Sequence, residues 1–270
     1  MQIDRSGNNK HNTTIMQLFP PECPRCREKL RRNGETLNCS GCGIIYPRNS
    51  GVADLLTPLS LTQELTNICD YFDNSAVDYD SMIVTMVEEL ECPWREYSEL
   101  IERVVAEARK KLIVDLGCGT SFPVGSFIPG DSHYLGLDIS SEMLKQSHSL
   151  FKDDSNASFW RIDVERLPLP DNSVDLCVVF FSFNVFINLE ETIRQVNRVL
   201  KADGELFGTV ALTLPQENSL QPFRRISAQQ LEELLSGFKE RSRKLFTERK
   251  GDILFFHLKQ ASHGDFLRSP

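Results

Sequence analysis

The hydrophobic positions change their spacing twice along the chain. Up to about residue 56 they come singly or in pairs among polar residues and turn formers. Over 61–110 they recur every three or four positions, in the runs 61–72, 79–92 and 94–110, with Pro93 separating the last two. This spacing predicts three helices. From residue 111 short apolar runs alternate with helical segments, the pattern of a parallel α/β sheet. Strands are predicted over 111–115, 134–138, 158–162, 174–181 and 205–211. One helix opens at Ser140 or Ser141 after the second strand. Another, over 189–201, has Asn188 as its N-cap and Glu191 three residues on. Ser227-Ala-Gln-Gln230 resembles a capping box opening a helix that runs to Phe238. Strands over 243–248 and 252–259 follow; the short link Arg249-Lys250-Gly251 makes them antiparallel.

Composition narrows the class. The chain has 270 residues, 40% hydrophobic and 25% charged, enough for a packed core and too apolar for a disordered protein. Its length suits one large domain with an appendage, or two domains. No run of about 18 apolar residues predicts a membrane span. Residues 1–20 lack the apolar core of a signal peptide, so a reducing, cytoplasmic setting is expected, with cysteines as metal ligands or free thiols. The formal charge of −8 disfavours a surface built for phosphate contacts but allows a local basic patch.

Such a patch exists near the N-terminus, where residues 1–55 carry eight basic and five acidic side chains. The same region holds four of the eight cysteines, as Cys23-Pro-Arg-Cys26 and Cys39-Ser-Gly-Cys42. A C-x2-C turn aims two thiolates at one point, and two such knuckles complete the tetrahedron zinc prefers. Between them Asn33-Gly34 signals a turn, predicting a hairpin with one knuckle on each side. Four thiolates leave no position for water, so Cys23, Cys26, Cys39 and Cys42 are expected to hold a structural Zn2+. The stretch 21–56, closing on Tyr46-Pro47 and Gly51-Val52, resembles the small zinc ribbons of the Trm112-like kind. Cys69, Cys92, Cys118 and Cys177 are scattered and read as small buried hydrophobes.

The first predicted strand ends in Leu116-Gly117-Cys118-Gly119-Thr120-Ser121. Glycines there let backbone approach a nucleotide-like ligand, and Asp138, closing the second strand, can accept from the two hydroxyls of a ribose. A third glycine is missing from the dinucleotide pattern, Phe122 standing in its place. Asp115 would repel a phosphate and suits an ammonium group. An adenosine carrying an amino acid therefore fits better than a dinucleotide.

Val114-Asp-Leu-Gly-Cys-Gly-Thr-Ser121 resembles motif I of class I S-adenosylmethionine-dependent methyltransferases. Leu135-Gly-Leu-Asp-Ile-Ser140, the acidic loop Asp163-Val-Glu-Arg-Leu-Pro-Leu-Pro-Asp171 and Arg198-Val-Leu-Lys-Ala-Asp-Gly204 are similar to later segments of the ubiquinone-biosynthesis-like subgroup. Upstream, Tyr71-Phe-Asp73 and Tyr79-Asp80 are similar to its N-terminal helices. The resemblance implies a Rossmann-like seven-stranded sheet with a reversed last strand over 60–260, preceded by the ribbon and flanked by tails at 1–20 and 261–270. It further implies that Asp115, Gly117 and Gly119 border the methionine part of S-adenosylmethionine. Asp138 would hold the ribose, Asp163 and the Val164 backbone would meet the adenine, and Phe180 would wall the pocket.

Two departures stand out: Ser121 replaces a usual glycine, and Ala202-Asp203 replaces proline-glycine. The fourth strand ends Phe180-Phe-Ser-Phe-Asn184 with no amide-methylating motif. His11 and His263 fall in the expected tails, while His133, His148 and His257 are read as surface or core. No catalytic base is therefore assigned, and Tyr79 is a candidate pocket lid. Because a sulfonium leaving group is already activated, such a sequence reveals its cofactor and hides its acceptor.

The leading expectation is methyl transfer to a small molecule. An rRNA or tRNA base methyltransferase gripping RNA through Arg25, Arg27, Lys29, Arg31 and Arg32 is the alternative; salt-dependent RNA binding would distinguish it. A non-catalytic cofactor-binding or scaffold protein is a third class, disfavoured by the intact glycine and acid set.

Overall fold

The computed structural model describes residues 20–56, 61–213, 222–241 and 243–260. The tails expected at 1–20 and 261–270, with His11 and His263, lie outside these residues apart from Pro20.

The first unit is the cysteine ribbon. Strands β1 (Leu30–Asn33) and β2 (Thr36–Cys39) form the expected hairpin, but its two turn residues are Gly34 and Glu35, because Asn33 pairs with Thr36. Strands β3 (Ile45–Asn49) and β4 (Val52–Asp54) follow antiparallel. Each knuckle ends on a left-handed residue directly after its second cysteine, Arg27 at φ 62° and Gly43 at φ 75°.

Next come helices α1 (Gln63–Ser75), α2 (Tyr79–Glu89) and α3 (Trp94–Val105). Helices α2 and α3 stop short of the expected ends at 92 and 110, while α1 runs past its expected end at 72. Then the parallel core begins: β5 (Leu112–Leu116), β6 (His133–Asp138), α4 (Ser141–Leu150), β7 (Ala157–Arg161), β8 (Val174–Phe180), α5 (Leu189–Val199) and β9 (Leu200–Ala211). Helix α6 (Ala228–Leu235) opens on the Ser227–Gln230 capping box and continues as a 3-10 segment to Arg241. The last strands are β10 (Arg243–Lys250) and β11 (Ile253–Gln260).

Two predicted boundaries shift. β9 starts at Leu200, because α5 stops at Val199 and the backbone turns extended. Its pairing skips from Leu200 to Glu205, and Gly204 allows this bulge: a Cβ there would lie 2.8 Å from the Val174 carbonyl oxygen. The final hairpin turns at Gly251 and Asp252, so Lys250 belongs to β10.

The sheet order is β1-β2-β3-β4-β7-β6-β5-β8-β9-β11-β10. Seven of these strands, β7 to β10, form the Rossmann-like sheet, with β11 antiparallel to β9 as the reversed strand. The ribbon is welded on: β4 pairs parallel with β7, Ala53 opposite Trp160 and Asp54 opposite Arg161. Two apolar layers cover the faces. One holds Val87, Ile101 and Leu144 against Ile113 and Phe255; the other holds Val196 and Leu231 against Val114 and Leu137, and takes in Cys23, Leu37 and Tyr46 of the ribbon. Cys69, Cys92, Cys118 and Cys177 are buried, as read from the sequence.

Candidate cofactor cleft and cysteine cluster

The carboxyl ends of β5, β6, β7 and β8 open into a cleft of about 700 Å³. Parallel strands expose their following loops there, which is where such sheets take ligands. Gly117, Gly119, Asp138, Asp163, Val164 and Phe180 all line it, and an adjoining hollow of about 340 Å³ adds Asp115 and Cys118. The structure thus brings every residue singled out for the cofactor to one place.

The glycines are required by space as well as conformation. Gly117 has φ 70° and Gly119 φ 53°. A Cβ on Gly119 would meet Tyr79 Cε1 at 3.0 Å, and one on Gly117 would meet Ser182 Oγ at 2.5 Å. The loop is hung from the neighbouring strand: Gly117 N and Cys118 N both donate to the Leu137 carbonyl.

Asp138 is only 8% exposed, and both its oxygens accept backbone bonds. Gly119 N donates to one and Ser140 N to the other, each at 2.8 Å. Burial raises its pKa, opposed by these donors. The carboxylate is therefore fixed in place at the edge of the cleft. Asp163 caps a 3-10 turn at Val164–Arg166 by accepting from Glu165 N at 3.0 Å, and burial raises its pKa too.

Asp115 has a feature the sequence did not show. Its Oδ2 lies 2.8 Å from Tyr134 Oη, which is 3.0 Å from Ser121 Oγ; Ser121 Oγ is 3.0 Å from Ser147 Oγ, which is 2.8 Å from the Gly119 carbonyl. These four contacts share three hydroxyl protons, so a proton on Asp115 completes the ladder. Burial pushes its pKa up to about 7, with the Tyr134 hydroxyl opposing. Ser121 keeps the left-handed conformation of the glycine it replaces, at φ 66°, and its hydroxyl is the middle of this ladder.

Helices α1 and α2 border the cleft and are tied to the glycine loop and to the turn after β6. Asp73 accepts from Ser140 Oγ and from Glu142 N, and Asp80 accepts from Thr120 Oγ1 at 2.6 Å. Tyr79 lines the cleft beside Gly119, as part of that border. Much of the remaining lining is apolar: Leu65, Ile68 and Phe72 from α1, Val185, Phe186 and Ile187 after β8, and Phe223, with the Glu165 carboxylate among them, accepting from Asn188 N at 2.8 Å. Sequence reading missed this wall, since α1 carried only a period and Phe223 no motif. Among the described residues no histidine lines the cleft. His257 shares a hydrogen bond with Glu205 at 2.7 Å midway along β9, and His133 opens β6, both away from the carboxyl ends.

The second cluster is in the ribbon. The four sulfurs of Cys23, Cys26, Cys39 and Cys42 lie within 4.8 Å of one another, with Cys23 and Cys42 3.6 Å apart and Cys26 and Cys39 3.4 Å apart. A tetrahedron with metal–sulfur bonds of about 2.3 Å has edges of about 3.8 Å, so the thiols fit a metal. Tyr46 Oη is 3.2 Å from Cys23 Sγ, an outer partner for a thiolate. Of the basic ribbon residues, Arg27 pairs with Glu22 and Asp171 and Arg32 with Glu35. Arg25, Lys29 and Arg31 pair with no acid among the described residues.

Residues 114–208 match the methyltransferase-domain family model. An uncharacterized protein of Methanocaldococcus jannaschii is 32% identical over 152 residues, covering 55% of this chain and 53% of that protein. The ubiquinone/menaquinone biosynthesis C-methyltransferase UbiE of Shewanella oneidensis is 32% identical over 146 residues, covering 52% and 57%. The chain thus spans about half the length of the curated relatives it matches. Among solved structures, a chain in the complex of the Haloferax volcanii Trm112 methyltransferase activator and a methyltransferase shares the fold: TM-score 0.55, 18% identity, 70% of this chain and 96% of that one. Among the described residues no helix is long and apolar enough to cross a membrane. The family match thus begins within β5, takes in the glycine loop and Asp138, and ends in β9, so that the strands and loops that line the cleft resemble a methyltransferase domain.

Proposed function

We propose that the chain transfers the methyl group of S-adenosylmethionine to an apolar small molecule bound under α1. One observation carries this reading: a single cleft is lined both by the glycine loop with its carboxylates and by the apolar side chains Leu65, Ile68, Phe72, Phe186 and Phe223. The two kinds of lining ask for different ligands, one polar with a diol and an ammonium, the other flat or chain-like and greasy.

The cofactor supplies an activated methyl on a sulfonium. Asp138 orients the ribose, Asp163 and the Val164 backbone face the adenine, and ionised Asp115 with the loop at Gly117 and Gly119 borders the amino-acid end. The residues around the acceptor align it and keep water out, which is the main requirement of an in-line displacement. Besides the aspartates, Tyr79 and Glu165 are the titratable side chains of the cleft among the described residues. Burial pushes the Tyr79 pKa well up, so it serves as a hydrogen-bond donor rather than a base, and burial raises that of Glu165, whose carboxylate is engaged by Asn188 N. The acceptor then brings its own nucleophile, a carbon or an already acidic oxygen or sulfur. The name of the Shewanella relative agrees with a C-methylated, apolar acceptor. Zn2+ in the ribbon is structural in this reading, because four thiolates close its coordination sphere.

A second reading, RNA base methylation, draws on Arg25, Lys29 and Arg31 of the ribbon, which face no acid among the described residues. One experiment separates them. The protein is incubated with methyl-labelled cofactor and fractionated cell extract, and label is counted in organic-soluble small molecules, RNA and protein. Label in the organic-soluble fraction is expected; label confined to RNA would overturn the proposal in favour of the second reading.

A further inference from the structure

We infer that the cysteine ribbon is the positioning device for the adenine-facing loop of the cleft, so that metal binding in the ribbon and cofactor binding in the cleft strengthen each other. This rests on the reading of the cleft as a cofactor site, and Arg27 is the residue that carries the coupling.

The loop from Asp163 to Asp171 has no regular structure beyond its one 3-10 turn, yet it must present Asp163 and Val164 to the cleft. Its far end is built into the ribbon. Glu22 N donates to the Pro168 carbonyl at 2.9 Å. Leu167 and Leu169 are buried in the same apolar layer as Cys23, Leu30, Leu37, Cys39 and Tyr46. Arg27 donates from Nε to Glu22 at 3.0 Å and from an outer nitrogen to Asp171 at 2.6 Å. Arg198 of α5 braces the other side, donating to the Leu167 and Leu169 carbonyls and to Asp171.

The near end is held by the ribbon as well. Leu55 N donates to the Arg161 carbonyl at 2.8 Å, directly after β4 pairs with β7. Arg161 in turn donates to Asp54 at 3.2 Å and to the Ile139 carbonyl at 2.8 Å, one residue beyond Asp138. The ribbon therefore grips the chain on both sides of Asp163.

Arg27 links this grip to the metal. It follows Cys26 and takes the left-handed conformation that closes the knuckle, with its N–H donating to the Cys23 carbonyl at 2.8 Å. Releasing the thiols from a common centre frees that turn, and with it the direction of the Arg27 side chain. Freed at 163–171, the loop must be ordered at the expense of cofactor affinity. By linkage, the cofactor then favours the metal-bound ribbon by the same factor.

The test uses the full chain and S-adenosylhomocysteine as probe. In zinc-loaded protein, Arg27→Ala is expected to weaken its binding about two- to fivefold by calorimetry, the scale of a half-exposed ion pair, with Arg27→Lys recovering part of the loss. Stripping Zn2+ with a chelator is expected to weaken it at least about tenfold, the scale of a typical coupling between sites, and saturating probe to slow zinc release to the chelator. Hydrogen exchange over 163–171 should speed up in Arg27→Ala and in stripped protein. Arg95→Ala, which breaks an exposed pair with Glu99 on α3, should change none of these. Should stripping unfold the chain, the Arg27 series decides alone. Unchanged probe affinity and unchanged loop exchange in Arg27→Ala would overturn the coupling. Failure of wild-type protein to bind the probe would instead count against the cofactor reading, and loop exchange would still decide the coupling.

Discussion

Replacing Asp115 by asparagine tests the proton ladder beneath the glycine loop. Asp115 is 2% exposed, and burial raises its pKa from 3.8 to about 7. The folded, cofactor-free protein thus holds a proton between about pH 4 and pH 7 that the unfolded chain has released. Its stability should fall as pH rises through that window, by up to about 4 kcal/mol. The Asp115→Asn substitution removes this slope, and the new amide supplies the fourth proton that the Tyr134–Ser121–Ser147 ladder needs. Urea unfolding of the cofactor-free variant at about pH 8 is expected to show a gain of about 1–4 kcal/mol, with a profile flatter than that of wild type from about pH 5 to pH 8. Cofactor binding should move the other way. The fraction of Asp115 ionised rises about tenfold from pH 6 to pH 8, so wild-type affinity for S-adenosylhomocysteine should rise with it. The variant should bind more weakly at the alkaline end and show no such rise. A variant less stable than wild type at every pH, or one that keeps the wild-type slope, would refute the reasoning.

Two further outcomes follow from the site. Gly119→Ala forces a left-handed alanine against Tyr79, at a cost of about 1–2 kcal/mol, and should abolish measurable cofactor-analogue binding by calorimetry while leaving the far-ultraviolet circular dichroism intact; wild-type binding would show that the close approach is not needed. Tyr46→Phe removes the hydroxyl beside Cys23 Sγ and should weaken zinc about tenfold in a competition with a chromogenic chelator, with no change expected if that hydroxyl does not touch the metal-bound thiolate.

Much of this architecture was legible because parallel sheets are buried on both faces and leave apolar runs in the text. The strands at 111–115, 134–138 and 158–162 fell within a residue of their observed places for that reason. The glycine loop and its acids were legible because special backbone geometry and buried carboxylates restrict residue choice. The start of β9 was missed because Leu200 is apolar and continues the helical period of α5; only the tertiary pairing with Val174 decides its state. The Asp115 ladder was hidden because Tyr134, Ser121 and Ser147 are far apart in sequence and each is unremarkable alone. The apolar wall at Phe186 and Phe223 depends on how two irregular segments fold over the strand ends, and no periodicity records that. The ribbon's attachment to β7 was equally silent, since a three-residue strand such as Val52–Asp54 leaves no pattern.

That attachment also settles what the outside of the sheet offers to other chains. Without it, β7 would end the parallel sheet with a row of free amides and carbonyls under a run as apolar as Ser-Phe-Trp, an open template for another strand. The outermost strands are instead β1, reading Leu-Arg-Arg-Asn, and β10, with five basic or acidic side chains among its eight residues. Both present charge where a neighbour would have to pair. Besides any work at the cleft, the ribbon is thus the cap that keeps this sheet from growing.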